Sequence, residues 1–114
     1  MYEQGLGTQI DLKKAVRYFR MSANMRDFLG QFHYARALEN GIGLAADLKL
    51  AAKFYRLSAN QGFGRAQFNI ARYLEFGLGI DKDISLAIQF YKCAARQGIK
   101  AAEVALRRLK QNCL

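Results

Sequence analysis

Apolar residues in this chain recur at helical spacing. Leu48, Ala51, Ala52, Tyr55, Ser58 and Ala59 stand at i, i+3, i+4, i+7, i+10 and i+11, which gathers small and apolar side chains into a stripe about 100° wide. Asp47 directly before that stripe is a predicted N-cap, because its carboxylate can accept from amides that a first turn leaves without partners and suits the positive helix end. Gly62 beyond the last turn predicts a stop where positive φ is needed. A second stripe, Ala66, Ile70, Ala71 and Leu74, ends at Gly77. The same pattern along the chain predicts six helices, near 12–25, 28–40, 48–61, 64–76, 84–97 and 100–112. None of them can bury its stripe alone.

The pattern is periodic at a larger scale. Gly5-Leu6-Gly7, Gly41-Ile42-Gly43 and Gly77-Leu78-Gly79 recur every 36 residues, and Asp11, Asp47 and Asp83, Ala15, Ala51 and Ala87, and Arg36, Arg72 and Arg108 keep the same step. Residues 5–40 and 41–76 share 16 identities in 36, and 41–76 and 77–112 share 12, where chance supplies about two or three. Short linkers make neighbouring helices antiparallel, and the fixed step stacks each hairpin on the one before. The expectation is an all-α solenoid forming one domain over residues 1–114, with repeat periods 5–40, 41–76 and 77–112. Ala51, Ala59, Ala71, Ala87 and Ala95 allow close helix approach, and Phe54, Tyr55, Phe90 and Tyr91 fill the gaps.

Composition narrows the function classes. A chain of 114 residues with 52% hydrophobic and 24% charged positions is neither disordered nor, lacking an apolar run of about 18–20 residues, membrane-spanning. The net charge of +9 favours acidic partners. Two cysteines are too few to staple a small secreted domain, and no leader pattern opens the chain, so a reducing cytoplasmic setting is expected.

Candidate chemistry is sparse. The paired glycines fail G-x-G-x-x-G, since Ile10, Ala46 and Lys82 hold its third glycine's place and no strand precedes them, so they are expected to be hairpin turns. His33 is the only histidine and aligns with Asn69 and Ala105, which predicts a tolerant, partly exposed position. Cys93, aligned with Met21 and Leu57, is expected to be a small core hydrophobe. Cys113 in the tail lies about 15 Å away by helix rise, too far for a disulfide. The acidic residues recur with the repeat and do not converge as a catalytic pair. No catalytic residue, cofactor or metal site is expected.

These residues resemble the Sel-1-like repeat (SLR) family, relatives of the tetratricopeptide repeats. Ala66, Ile70, Ala71, Leu74, Gly77, Gly79, Ile80, Asp83, Ala87, Phe90, Tyr91, Ala94, Ala95 and Gly98 occupy the family's pattern, with Ala71 in place of a Gly and Leu74 in place of a Tyr. Residues 30–62 give a second copy through Gly41, Gly43, Asp47, Ala51, Phe54, Tyr55, Ala59 and Gly62. The first period departs at Met25-Arg26-Asp27, where Arg26 replaces the loop glycine, so that corner is expected to be built differently. The resemblance implies a right-handed α-α superhelix acting as a non-catalytic adaptor or scaffold that binds other proteins in a concave groove.

By analogy with the tetratricopeptide hairpin, the helices near 28–40, 64–76 and 100–112 line that groove. Candidate partner-binding residues are Phe32, Arg36, Glu39, Arg65, Phe68, Arg72, Glu75, Phe76 and Arg108. A row of Arg36, Arg72 and Arg108 flanked by Phe32 and Phe68 could grip an acidic peptide or protein surface by forked hydrogen bonds. Against that stands a plainer alternative, in which Arg36–Glu39 and Arg72–Glu75 are exposed i, i+3 pairs and the two phenylalanines pack between hairpins. A second ladder, Lys13, Arg17, Arg20, Lys49, Lys53, Arg56, Lys92 and Arg96, should face outward. It is either a solubilising face or a charge-driven site for nucleic acid or an anionic membrane surface.

The two ends differ. Met1–Gln4 align with the last turn of a second helix, and Glu3 falls in register with Glu39 and Glu75. Arg107 and Lys110 stand where Ala71 and Leu74 point inward, so helix 100–112 reads as a solvent-facing cap. The expectation is a raw amino end: the C-terminal piece of a longer array, or a chain whose first helix packs on a partner or on itself.

Overall fold

A computed structural model describes the backbone of residues 5–112 and the side chains of residues 12–110. Six helices follow in order: α1 (Gly5–Asn24), α2 (Phe28–Asn40), α3 (Leu48–Asn60), α4 (Gly64–Phe76), α5 (Ile84–Arg96) and α6 (Lys100–Asn112). No strand occurs among the described residues. Each helix packs on its neighbours in sequence, and the resulting body measures 51 × 30 × 26 Å. This is the α-solenoid expected from the repeat.

Two kinds of corner alternate. The longer one leaves α2 and α4 through a left-handed glycine, Gly41 at φ 67° and Gly77 at φ 68°. Their amides bond back to Ala37 O and Tyr73 O, satisfying carbonyls that a helix end leaves open. Asp47 and Asp83 then cap α3 and α5, accepting from Leu50 N and Leu86 N at 3.0 Å each. The second glycine of each pair serves the stacking: a Cβ on Gly79 would stand 2.6 Å from the carbonyl carbon and oxygen of Leu48, so only glycine lets this loop press against the start of α3.

The first glycine pair departs from the hairpin turn expected of it, because Gly5 and Gly7 lie inside α1, which begins seven residues before the anticipated start at residue 12. Gly41 and Gly77 each end a helix, and Gly43 and Gly79 each press on an earlier one at Leu12 and Leu48. Among the described residues no helix precedes α1, and α1 runs through both glycines. Other helix ends fall within one residue of expectation.

The shorter corner also corrects the sequence reading. Arg26 adopts φ 66°, the left-handed conformation that Gly62 (φ 94°) and Gly98 (φ 87°) hold at the same register. The bond from Asp27 N to Ser22 O, 3.1 Å, repeats that from Phe63 N to Ser58 O, 3.4 Å. The corner is therefore built alike in all three places. A left-handed arginine costs about 1–2 kcal/mol, and the cap that Asp27 gives Leu29 N at 3.2 Å offsets part of it.

The core follows the stripes. Ala51, Ala52, Tyr55, Ser58 and Ala59 of α3 and Ala66, Ile70, Ala71 and Leu74 of α4 are buried, as are Ala87, Tyr91 and Ala94 of α5. Leu48 is the exception in its stripe, exposed at the mouth of the helix. On α6, Ala102, Ala105 and Leu109 are buried, whereas Arg107 and Lys110 are exposed.

Candidate functional site

Stacking brings α2 and α4 side by side with Tyr55 of α3 between them, leaving a cleft of about 520 Å³. Its walls include Phe32, Arg36, Glu39, Arg65, Phe68 and Arg72, so six of the nine candidate groove residues are brought together. Glu75, Phe76 and Arg108 stand one repeat further along.

The arginine row does not pair as sequence spacing suggested. Arg72 reaches back 33 residues to Glu39, 3.1 Å from its Oε2, and takes Asn69 Oδ1 at 3.1 Å. Arg108 forms the same pair with Glu75, its Nη2 donating to Oε1 at 3.1 Å and its Nη1 bonded to Oε2. The i, i+3 pairs Arg36–Glu39 and Arg72–Glu75 do not form, because each glutamate turns toward the following hairpin. There it also accepts a phenol: Tyr55 Oη donates to Glu39 at 2.7 Å and Tyr91 Oη to Glu75 at 2.7 Å. Arg72 and Arg108 are thus inter-repeat staples.

Electrostatics follow the geometry. The hydrogen bond from Arg108 holds the Glu75 carboxyl below its ordinary pKa, with Tyr91 assisting and burial opposing. The same bond raises the Arg108 guanidinium. Burial, then the glutamate hydrogen bond, pushes Tyr55 and Tyr91 far above the ordinary phenol value. Tyr73, fully buried beside this cluster, has a hydroxyl with no hydrogen-bond partner. Burial and the Glu39 charge push it upward as well.

A second set of polar links closes the opposite end of each hairpin. Gln61 Nε2 donates to Gln31 Oε1 at 2.8 Å, and Gln97 Nε2 to Gln67 Oε1 at 3.1 Å. Sequence reasoning missed these pairs, although their shared 30-residue separation was a visible signal.

Arg36 and Arg65 behave differently from the staples. Both guanidiniums lie on the Phe32 ring, at 5.9 and 5.0 Å from its centroid, and no carboxylate among the described residues pairs with either. Covered by them and by Tyr55 and Phe63, Phe32 is buried. It packs between hairpins and offers a partner almost no surface. Phe68 is half-buried, 5.8 Å from the Tyr91 ring, and Phe76 is exposed beneath Arg108. His33 is half-buried, stacked 4.9 Å from Phe19. Desolvation, then Arg36 and Arg65, lowers its pKa, so the imidazole registers the positive field of this wall.

The outer ladder faces solvent: Lys13, Arg17, Arg20, Lys49, Lys53, Arg56, Lys92 and Arg96 are all exposed. Its row is broken in the third repeat, where Ser85 and Gln89 take the places of Lys49 and Lys53. Lys49, Lys53 and Arg56 rim a separate cleft with Leu50, Ala52, Ile70 and Ile80 on its apolar side. Cys93 is half-buried and free, while Cys113 and Glu3 lie outside the described residues. Among the described residues no three His, Cys, Asp or Glu side chains gather as metal ligands, and no helix is long and apolar enough to cross a membrane.

Comparison with known proteins agrees with the architecture. The family model described as the Sel1 repeat matches residues 1–27, 29–63 and 64–99. A Sel1 repeat protein from Oxalobacter formigenes is 33% identical and superposes with a TM-score of 0.79, covering 82% of this chain and 70% of that one. The antigen c5321, a protective antigen of uropathogenic Escherichia coli strains with an SLR fold, is 33% identical at a TM-score of 0.83. That match covers 86% of this chain and 21% of the antigen. Cysteine rich protein B of Helicobacter pylori shares the fold at 21% identity and a TM-score of 0.75, over 80% of this chain and 68% of that one. No curated protein sequence matches the chain.

Proposed function

The chain belongs to the Sel1-repeat family, whose members are generally non-catalytic protein-interaction scaffolds, and from that membership we propose that it binds an acidic segment of another protein in the cleft between α2 and α4. One observation carries this reading: Arg36 and Arg65 both lie over the Phe32 ring in the wall of the cleft. Two forked cations on an aromatic floor suit a pair of carboxylates flanking an apolar residue, since each guanidinium can take a carboxylate bidentately. The half-buried face of Phe68 supplies apolar area. Glu39 adds one negative charge beside three arginines, leaving the cleft cationic.

The test uses fluorescein-labelled peptides in which an apolar residue separates two glutamates, with glutamine peptides as controls. Binding should require the carboxylates and fall at least about tenfold, the loss of one good charged contact, when Arg36→Ala and Arg65→Ala are combined. Reversing Lys49, Lys53 and Arg56 on the outer ladder should leave it intact. Equal binding of the glutamine peptides, or indifference to Arg36 and Arg65, refutes the cleft.

A further inference from the structure

The cleft beneath the outer ladder holds about 520 Å³, inside the range of about 300–1,000 Å³ in which small-molecule sites fall. Ala52 and Ile70, each 1% exposed, lie at its base, and the half-buried Leu50 and Ile80 flank them. Lys49, Lys53 and Arg56 stand at i, i+4 and i+7 on α3, so all three share the face that borders this apolar patch. Asp47 also reaches the lining, where its carboxylate accepts from Leu50 N at 3.0 Å as the cap of α3. An apolar base is thus rimmed by three cations and one engaged anion.

The neighbouring repeats show why the space is here. Tyr34 stands one period before Ile70, and its ring packs edge to face against Phe54 with 5.0 Å between centroids. Ile70 brings no ring to Phe90, which stays half-buried where Phe54 is buried. Ala52 stands where the first repeat has Val16 and the third has Ile88, and Leu50 where the first has Lys14. In the third repeat Ser85 and Gln89 replace the two lysines. Only the second repeat combines three cations with a base this small and apolar, so duplication alone does not account for the feature. Apolar surface alone would take an uncharged molecule, and the cations alone any anion. Their apposition selects a molecule with both parts, whose alkyl body leaves water as its charged end meets a cation.

We propose that this cleft is a small-molecule site, distinct from the α2–α4 cleft, that takes an alkyl carboxylate: a medium-chain fatty acid with its chain on Ala52 and Ile70 and its carboxylate among Lys49, Lys53 and Arg56.

Octanoate is the probe, with octanol and acetate as controls that carry only the chain or only the charge. Calorimetric titration of the full chain should show saturable binding of one octanoate per chain, at least about tenfold tighter than either control and weakening with salt. In amide NMR spectra octanoate should shift signals around Leu50, Ile70 and Ile80 and leave those of Arg36 and Arg65 in place. Lys49→Ser with Lys53→Gln installs the third repeat's residues at exposed positions and should cost at least about tenfold in octanoate affinity with the melting temperature kept. Ile70→Tyr installs the first repeat's ring and should abolish octanoate binding. Combined Arg36→Ala and Arg65→Ala should leave octanoate binding unchanged while removing the peptide complex, so the two sites succeed or fail separately. The inference is overturned by absence of saturable octanoate binding, by equal affinity for octanol or acetate, or by indifference to the lysine pair. Binding to anionic phospholipid vesicles that the lysine pair abolishes and octanoate does not compete with would also overturn it, making the ladder a membrane-facing surface.

Discussion

Arg36 and Arg72 hold the same place in successive repeats, yet they do different work. Arg72 is tied to Glu39 of the preceding repeat, which is tied in turn to Tyr55. Arg36 lies over an aromatic ring, and the residue in register with Tyr55 on its own preceding helix is Phe19, which has no hydroxyl to offer. Duplication creates rows of equivalent residues, but the partner of each member comes from the repeat before it. Among the described residues Arg72 and Arg108 are staples, whereas Arg36 meets an aromatic ring.

Substitutions can sharpen that contrast. The largest expected effect is at the stacking contacts: Gly79→Ala drives a Cβ into the backbone of Leu48 at positive φ and should cost about 3 kcal/mol or more in urea denaturation. Gly62→Ala faces open space and should cost only the backbone strain, about 1 kcal/mol. Next come the staples. Glu75→Ala leaves the buried Tyr91 hydroxyl unpartnered, for about 2–4 kcal/mol. Glu39→Ala, at a more exposed staple, should cost less, and Arg36→Ala, which removes no described ion pair, should cost less than Arg72→Ala. Equal losses at Arg36 and Arg72 would break the comparison.

Acid should act through the same group. Because the folded-state pKa of Glu75 lies below its ordinary 4.5, its contribution is present above about that pH and lost as pH falls through the lowered value. Glu75→Gln should flatten this acid limb in melts collected between neutral and strongly acidic pH. Smaller still, Tyr91→Phe should cost about 1 kcal/mol for its lost bond, whereas Tyr73→Phe should be neutral or stabilising, since the Tyr73 hydroxyl has no partner to lose. Arg26→Gly should stabilise by about 1 kcal/mol, by relieving the left-handed arginine.

Most of the fold was legible because its signals are local. Apolar spacing, Asp47 and Asp83 as caps, and Gly41 and Gly77 as exits mark the helices within a residue or so. Arg26 misled because an absent glycine suggests a different turn, although the corner's hydrogen bonds come from the backbone and need only a tolerable φ. The first glycine pair misled for a related reason: a glycine permits a turn, and it is the neighbouring helix pressing on it that requires one. The site was half legible. Register placed Phe32, Arg36, Arg65, Phe68 and Arg72 on one wall, but it offered Glu75 to Arg72 as the nearer partner. It also gave Phe32 to the groove, when the guanidiniums and rings around it bury it.

The linear pattern thus determined the helices, their period and the rows that stacking creates, since each depends on spacings of a few residues or on a repeat visible by comparison. Which carboxylate each staple arginine meets, and which glutamines close the far end of each hairpin, were decided by the packed hairpins alone. Those outcomes depend on side chains about thirty residues apart meeting at hydrogen-bond distance, and that distance is set by how the helices stack.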